Sequence, residues 1–459
     1  MAPSFPSLIP ALPRTAFELR RIIHFTNRND CFYSGCQAAA RGTLRAAKNR
    51  PRGVKALDLS RTRIVIVGAG QAGARAAEAL RAAGHRGPIT LLGEEQHPPY
   101  ERPQLSKAML INADEEPRFI RNSQDWAAID IELSTSSPTI AIDVNRRAIG
   151  LSDGREISFD RLLLATGTRP RRLRDLENCG LRVCYLRCID DARELRRNLT
   201  QGTKVVLVGG GVIGLEVASA AIARGCEVTV LEKADRLLPQ VGSPALSGYL
   251  RRLHSDRGVA ICCNATIVGA TAKGIQLSDG RIVPADLIVV GVGVEPAADL
   301  ARQAGLAVDQ GIRVGSSGMT EIDGVYAAGD VAEQWSDWHG RWMRVENWAN
   351  AQNQAIATAR NMAGQDVGYE APPWFWSDQF EANIQVIGHP GGADEIVRGD
   401  VERGRFTTIS LRDGEVVGGV TVSSPKDMAL LRRLAASRKR INPSDIANPA
   451  FDLKQALAS

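Results

Sequence analysis

RTRIVIVGAGQAGARAAEALRAAGHRGPITLLGEEQHPPYERPQLSK, residues 61–107, is the stretch whose reading decides the fold. Ile64–Val67 is a short apolar run, the pattern of a strand buried on both faces of a parallel sheet. It runs into Gly68-Ala69-Gly70-Gln71-Ala72-Gly73, a GxGxxG, and then into Ala-rich helical sequence from Ala74 to Ala83. A second apolar run, Ile89–Leu92, ends at Gly93-Glu94-Glu95. Gly68 allows the tight turn, Gly70 lets a pyrophosphate approach the backbone, and Gly73 lets helix and strand pack closely. The helix N-terminus then offers free N–H groups and a partial positive charge to the phosphates. Glu94 lies 21 residues past Gly73, where an acid accepts hydrogen bonds from a ribose 2′-OH. A lone GxGxxG carries little. Strand, glycines, helix, strand and acid in this order imply a dinucleotide site.

The pattern then repeats. Val205–Val208 is a strand, Gly209-Gly210-Gly211-Val212-Ile213-Gly214 is a second GxGxxG, and helical sequence follows from Leu215. The next strand, Glu227–Leu231, ends at Glu232, 18 residues past Gly214. Two such units imply two dinucleotides. Glu232 favours the 2′-OH of NAD and repels the 2′-phosphate of NADP, with Lys233 and Arg236 weighing slightly the other way. Between the units, Leu162–Leu164 runs into Ala165-Thr166-Gly167, a turn at which the backbone passes close to a ligand. The prolines of His97–Lys107 exclude a helix through Pro103. Arg102 and Lys107 there are either in reach of the rest of a nucleotide or ordinary solvated loop charges. Leu287–Val290 is another buried strand, closed by Gly291-Val292-Gly293. Gly324–Asp330 is a strand that stops on Gly-Asp. Asp330 is placed there to hold a hydroxyl of a ribityl chain, or to cap the next helix.

The chain has 459 residues, which suggests two to four domains. Its 44% hydrophobic and 24% charged residues are ordinary for a globular protein. No run of 18 apolar residues occurs, so no transmembrane helix is expected. Of the net charge of +6, residues 1–60 carry +7 and the remainder −1. A nearly neutral body argues against a nucleic-acid-binding surface. The first sixty residues are Arg-rich, acid-poor and Pro-containing. They read as a targeting segment, a disordered tail or a translated stretch upstream of the true start, with the last two favoured and Val54 a candidate start. The eight cysteines are scattered, and neither Cys184-x3-Cys188 nor Cys31-x4-Cys36 has partners for a metal set. Free thiols fit a reducing cytoplasm. Six of the seven tryptophans fall between 335 and 376, which points to a ring-binding wall or a domain interface, with Trp374 the one to expect in a domain's own core. From 371 onward, strands over Asn383–Ile387, Phe406–Leu411 and Val416–Val422 and a helix from Pro425 read as a compact α+β domain.

PPYERPQLSK (98–107), LSDGREISFDRLLLATGTRPR (151–171), CYLRCIDDARELR (184–196), GGGVIGLEVA (209–218), GVYAAGDVA (324–332), VENWANAQNQA (345–355) and PPWFWSDQFEANIQVIG (372–388) together resemble the FAD-dependent pyridine-nucleotide reductases. Within them the chain is most similar to the ferredoxin reductases of bacterial aromatic-ring dioxygenase systems, a group structurally related to apoptosis-inducing factor. The resemblance covers residues 61–459. It implies an α/β, glutathione-reductase-like fold with two Rossmann-type domains and a C-terminal α+β domain. The FAD domain takes 61–170 and 300–370, the NAD domain 171–299 and the tail domain 371–459, with 1–60 an extension. It implies FAD contacts at Gly68, Gly70, Ala72, Gly73, Glu94, Arg102, Lys107, Thr139, Arg187, Asp330 and Trp348. It implies NAD contacts at Gly209, Gly211, Val212, Ile213, Gly214, Glu232, Gly293 and Glu346. Lys107 and Trp376 are implied beside the isoalloxazine as catalytic positions. Thr139 stands where Val is frequent, Trp348 where some relatives carry smaller residues, and Gln104 where Pro is common.

Chemistry follows from the resemblance and from one absence. NADH transfers a hydride to the flavin, and the protein supplies position and electrostatics. Residues 64–178 contain no cysteine, so a dithiol relay beside the first GxGxxG is missing. The electrons then leave singly, and the resemblance makes the acceptor a [2Fe–2S] ferredoxin serving an aromatic-ring dioxygenase. The alternatives are an NADH-dependent flavin oxidase or monodehydroascorbate-type reductase, and an NADH-gated interaction protein of the apoptosis-inducing-factor type. No metal, nucleic acid or membrane partner is expected, and the chain is expected to act as a monomer or homodimer.

Overall fold

Ile64–Val67 forms a strand buried at every position, and it sits at the centre of a five-stranded sheet. The computed structural model describes residues 61–336, 340–392 and 394–458. The readings made for residues 1–60 lie outside this range, as does Trp338. The first sheet runs in the order 325–327, 161–164, 64–67, 89–92, 131–134, and every pairing is parallel. Its fifth strand, Val325–Ala327, returns from far along the chain, just before Asp330. The helix Gln71–Ala82 packs on it together with the helix Trp348–Met362. Ala72, Ala76, Ala79, Ala351, Ala355 and Ala359 are all buried in one cluster, so small side chains set how closely the two helices approach.

The second GxGxxG follows the strand Lys204–Val208, in a second all-parallel sheet ordered 260–262, 227–231, 204–208, 287–290, 182–184. Two short antiparallel strands, Thr168–Pro170 and Val294–Pro296, pair where the chain passes between the two sheets. The third sheet is antiparallel, in the order 374–379, 382–388, 415–422, 405–412, 394–400. One face covers its own helix, Pro425–Ser437, with Ile387, Ile409 and Leu411 against Met428, Leu431 and Leu434. From the other face, Ile384, Val386, Phe406 and Val420 join the cluster that holds Val217, Leu246 and Leu250 of the second unit and Leu105 and Met109 of the first. The period-2 alternation of strand side chains makes this two-sided burial possible.

Two strands of the tail sheet, Trp374–Gln379 and Asp394–Asp400, went unread in the sequence, as did shorter strands elsewhere such as Ile131–Ser134 and Ala148–Leu151. The turn at 102–104 is a second departure. Pro103 does not prevent helical backbone there but lies inside a short 3-10 turn, Arg102–Gln104. At the first turn of a helix the missing N–H costs nothing.

Candidate functional site

The first glycine turn is built around a close backbone contact. Gly68 has φ +112°, and a Cβ on it would fall 2.2 Å from the carbonyl oxygen of Ala165. The GxGxxG and the Ala165-Thr166-Gly167 turn therefore meet with no room for a side chain. A Cβ on Gly73 would fall 1.9 Å from the Gly68 oxygen, the helix-on-strand contact its position implied. Gly70 differs, because the nearest atom to a Cβ there is Nη2 of Arg102, at 3.9 Å. The middle glycine is thus open toward a guanidinium at the mouth of a helix whose first amides are free.

Arg102 is held on three sides. It donates to Glu95 Oε1 (2.6 Å), to the Tyr100 hydroxyl (2.9 Å) and to the carbonyl of Arg187 (2.7 Å). Tyr100 in turn donates to Glu95 (2.6 Å), and burial pushes its phenol pKa up. Arg187 lies beside it, with Nη2 3.2 Å from where a Gly167 Cβ would stand and 3.9 Å from Asp330 Oδ2. Burial, and then the neighbouring Arg102, push the Arg187 pKa down. Two partly buried guanidinium groups side by side, at a helix N-terminus, are chemistry for an anion. Glu94 is exposed and makes no hydrogen bond or ion pair among the described residues, whereas Glu95 is committed to Arg102. This fits a ribose role for Glu94 and reveals a positioning role for Glu95 and Tyr100 that the sequence reading missed.

Asp330 follows Gly329, which has φ +80° and stands 2.9 Å, measured from a Cβ position, from the Cβ of Ala72. Ala72 is therefore a packing residue through its side chain, and only its amide can serve a ligand. Gln354 Oε1 accepts from the Gly329 amide at 2.9 Å and fixes the turn. Asp330 Oδ1 is buried without a hydrogen-bond partner, and burial pushes the carboxyl pKa up against the pull of Arg187, Arg102 and Arg344. An orphaned buried carboxylate oxygen costs about 1–3 kcal/mol or more, which a polyhydroxyl ligand would offset. Thr139 starts a hairpin strand just past Ser137, whose amide bonds the Gly93 carbonyl at 2.8 Å, and its hydroxyl is also buried without a partner.

The second glycine turn repeats the construction. Gly209 has φ +108° with Gly291 O 2.4 Å from its Cβ position, and Gly214 stands 2.3 Å from Gly209 O by the same measure. Gly211 and Gly293 have no atom closer than 3.9 Å. Val212 and Ile213 open the helix Val212–Ala223, and Ile213 is 47% exposed, an apolar surface a cofactor would cover. Glu232 accepts from Gly210 N (2.7 Å) and Ala234 N (2.8 Å), one bond to each oxygen. Glu346 pairs with Arg344 at 2.8 Å, and burial, reinforced by Asp330, pushes its pKa up. It therefore stands on the Asp330 side of the site.

Lys107 pairs with Glu216 at 2.5 Å. Glu216 was not singled out in the sequence, although it is the one charged residue in Val212–Ala223. A lone acid in an apolar helix was the available signal. Trp126 is buried in the core of the first sheet, and the described tryptophans between 335 and 376 divide into two groups. Trp335 and Trp342 pair edge-on at 6.1 Å across a hairpin. Trp348 meets Trp376 edge-on at 5.5 Å, and Trp376 stacks on Trp374 at 5.6 Å. The Trp348 Nε1 is buried without a partner. Cys184 and Cys188 are free, and burial pushes each thiol up to about 11, so neither supplies a thiolate near neutrality. Among the described residues there is no cluster fit for a metal ion, and no helix is long and apolar enough to cross a membrane.

Residues 62–355 match the model of a family described as pyridine nucleotide-disulphide oxidoreductase, and residues 374–457 match one described as reductase C-terminal. The ferredoxin–NAD(+) reductase component of the p-cumate 2,3-dioxygenase system of Pseudomonas putida is 42% identical over 395 residues, covering 86% of this chain and 98% of its own. The corresponding component of the anthranilate 1,2-dioxygenase system of Burkholderia cepacia is 41% identical over 400 residues, covering 86% of this chain and 98% of its own. Among solved structures, the covalent putidaredoxin reductase–putidaredoxin complex superposes with a TM-score of 0.83 at 35% identity, covering 87% of this chain and 99% of that one.

Proposed function

This chain belongs to the pyridine nucleotide-disulphide oxidoreductase family, and from that premise we propose that it is an FAD-dependent NADH:ferredoxin reductase serving an aromatic-ring dioxygenase. The fold is glutathione-reductase-like. We divide the chain into FAD, NAD and tail domains, a reading that the three five-stranded sheets support. The carrying observation is the convergence of Arg102, Arg187 and the unpartnered Asp330 oxygen on the Gly68–Gly73 turn.

Gly68–Gly73, Arg102 and Arg187 would hold the pyrophosphate of FAD, Glu94 a ribose and Asp330 the ribityl chain. The turn Gly209–Gly214 and Glu232 would hold NADH. Bound FAD supplies hydride acceptance from NADH and one-at-a-time release of the two electrons. Lys107, anchored by Glu216, places a positive charge where reduction builds negative charge. Trp348 and Trp376 wall the site from water. Among the described residues the six cysteines are free and scattered, and none lies between residues 64 and 178 beside the first glycine turn, so none offers a dithiol exit there. The acceptor is a [2Fe–2S] ferredoxin, and the protein works in the cytoplasm as a monomer or homodimer.

Steady-state turnover of NADH with a [2Fe–2S] ferredoxin, set against O₂ as acceptor, tests this reading. Ferredoxin should be reduced at least about tenfold faster than O₂, in line with specificity set by differential binding. Faster turnover with O₂ would make the protein a flavin oxidase instead.

A further inference from the structure

Glu216 is 4% exposed, and three donors converge on its carboxylate. Ser106 Oγ donates to Oε2, while Lys107 Nζ (2.5 Å) and Ser377 Oγ (2.6 Å) donate to Oε1. Ser106 and Lys107 come from the first nucleotide-binding unit, Glu216 from the second, and Ser377 from the first strand of the tail sheet. The carboxylate therefore joins three parts of the fold. The donor row continues behind Ser377. Gln379 Nε2 donates to Ser377 Oγ at 3.0 Å, and Gln379 Oε1 lies 2.9 Å from Nε2 of His254 on the helix Pro244–Asp256. Ser377, Gln379 and His254 are 1%, 0% and 0% exposed. The amide oxygen can only accept, which assigns the His254 proton to Nε2. Every link thus donates toward Glu216, from His254 through Gln379 and Ser377 on one side and from Lys107 on the other. Bonds aligned head to tail in a dry interior polarise one another. Just past that strand the chain is pinned to the same helix one turn further on, where Phe380 N donates to Ser219 Oγ at 2.9 Å.

We propose that Ser377, Gln379 and His254 are positioning residues that act through Glu216 to fix Lys107, so that the tail domain sets the rate of flavin reduction. The inference rests on the role given to Lys107 above. Lys107 has a long, flexible side chain, and its order is borrowed from a carboxylate that is itself pinned on both oxygens. With Ser377 removed, Oε1 keeps only the lysine, and both side chains gain freedom. Adjacent strand residues face opposite ways. One strand therefore presents Trp376 to Trp348 and Ser377 to Glu216, walling the site with one face and ordering it with the other.

The test uses the full-length, flavin-loaded protein and the variants Ser377→Ala, Gln379→Met, Glu216→Gln and Ser377→Ala/Glu216→Gln. The accessibility of the Lys107 amine is read by its rate of acylation with an amine-reactive ester, followed by mass spectrometry. Flavin reduction by NADH is read by stopped flow. Ser377→Ala and Gln379→Met should each raise Lys107 labelling and slow flavin reduction by about three- to tenfold, the size expected for the loss of one ordinary hydrogen bond. In the Glu216→Gln background, Ser377→Ala should change neither readout further, because its effect passes through that carboxylate. Unchanged labelling in both single variants overturns the proposal. So does an equal cost of Ser377→Ala with and without the carboxylate. Wild-type reduction by Lys107→Ala would instead overturn the role of Lys107, while raised labelling in Ser377→Ala would still support the positioning chain.

Discussion

At the scale of single residues, Asp330 sets binding against stability. Its folded pKa is raised by burial, so the ionised form is disfavoured in the flavin-free fold. For a carboxyl raised above its unfolded value, the stabilising contribution is present at low pH and is lost as pH rises through the folded pKa. Asp330→Asn should therefore leave the flavin-free protein melting at or above the wild type at neutral pH, with a flatter dependence on rising pH. The same change should weaken FAD binding by about 10- to 100-fold, since a charge-assisted hydrogen bond contributes about 1.5–3 kcal/mol. Thermal melts across pH and an FAD titration check both halves. A variant that melts lower and binds FAD as before would refute the assignment. Glu232 is fixed by two backbone amides before any ribose arrives, and each oxygen retains a lone pair for a hydroxyl. A 2′-phosphate meets the same carboxylate as a repulsion. kcat/KM for NADPH should fall below that for NADH by roughly 30- to 1000-fold, or ~2–4 kcal/mol. Glu232→Gln should compress that ratio at least about tenfold. It should also slow NADH turnover, because one amide loses its acceptor. Equal wild-type values for the two nucleotides would remove the role given to Glu232.

At the scale of elements, strands and turns were legible wherever one local pattern decided the structure. Apolar runs of four followed by glycines announced both parallel sheets, because a strand covered on two faces has no polar face to confuse the reading. Asp394–Asp400 was not legible, since it is an edge strand whose charged residues belong there. Only the fold shows that Arg398 in it donates to the carbonyls of Ile446, Asn448 and Phe451 and so ties down the C-terminal segment. The Glu216 junction was hidden for a similar reason, because its three donors are 109, 110 and 161 residues away. Arg432, Arg433, Arg438, Lys439 and Arg440 of the tail domain stand in the sequence as five basic charges, and the fold engages most of them. Arg432 stands over the Trp374 ring at 4.9 Å, Arg438 pairs with Glu370, Arg440 with Glu415, and Lys439 donates to the Leu457 carbonyl. Arg433 alone of the five is exposed and, among the described residues, makes no hydrogen bond, ion pair or ring contact. Arg433→Glu should then lower the ferredoxin rate at low salt by about two- to fivefold, an effect that fades as salt rises, with ferricyanide reduction unchanged. Trp376→Ala should slow electron delivery to ferredoxin more than flavin reduction by NADH. If both acceptors and both half-reactions slow together in these variants, the tail sheet is not the docking side.

At the scale of the whole molecule, the three five-stranded sheets described here are built from strands between residues 64 and 422, and the family match begins at residue 62. The charge is distributed differently. Residues 1–53 hold nine Lys+Arg against two Asp+Glu, so their removal takes the net charge from +6 to −1. This separates two sources of attraction for an acidic ferredoxin, the overall charge and a local face on the tail domain. Steering by overall charge acts at long range and is screened within about 10 Å at 0.1 M salt, whereas a docking face also acts at contact. Deleting residues 1–53 should leave flavin content and the NADH–ferricyanide rate within about twofold of the full chain. It should also leave the ferredoxin rate falling with salt at nearly the same slope, because the Arg433 face remains. Measuring ferredoxin kcat/KM from low to high ionic strength for both lengths decides the matter. A salt dependence that disappears with the first 53 residues would make them the steering element and the tail-domain face a bystander. A large loss of bound flavin would instead show that the body depends on them.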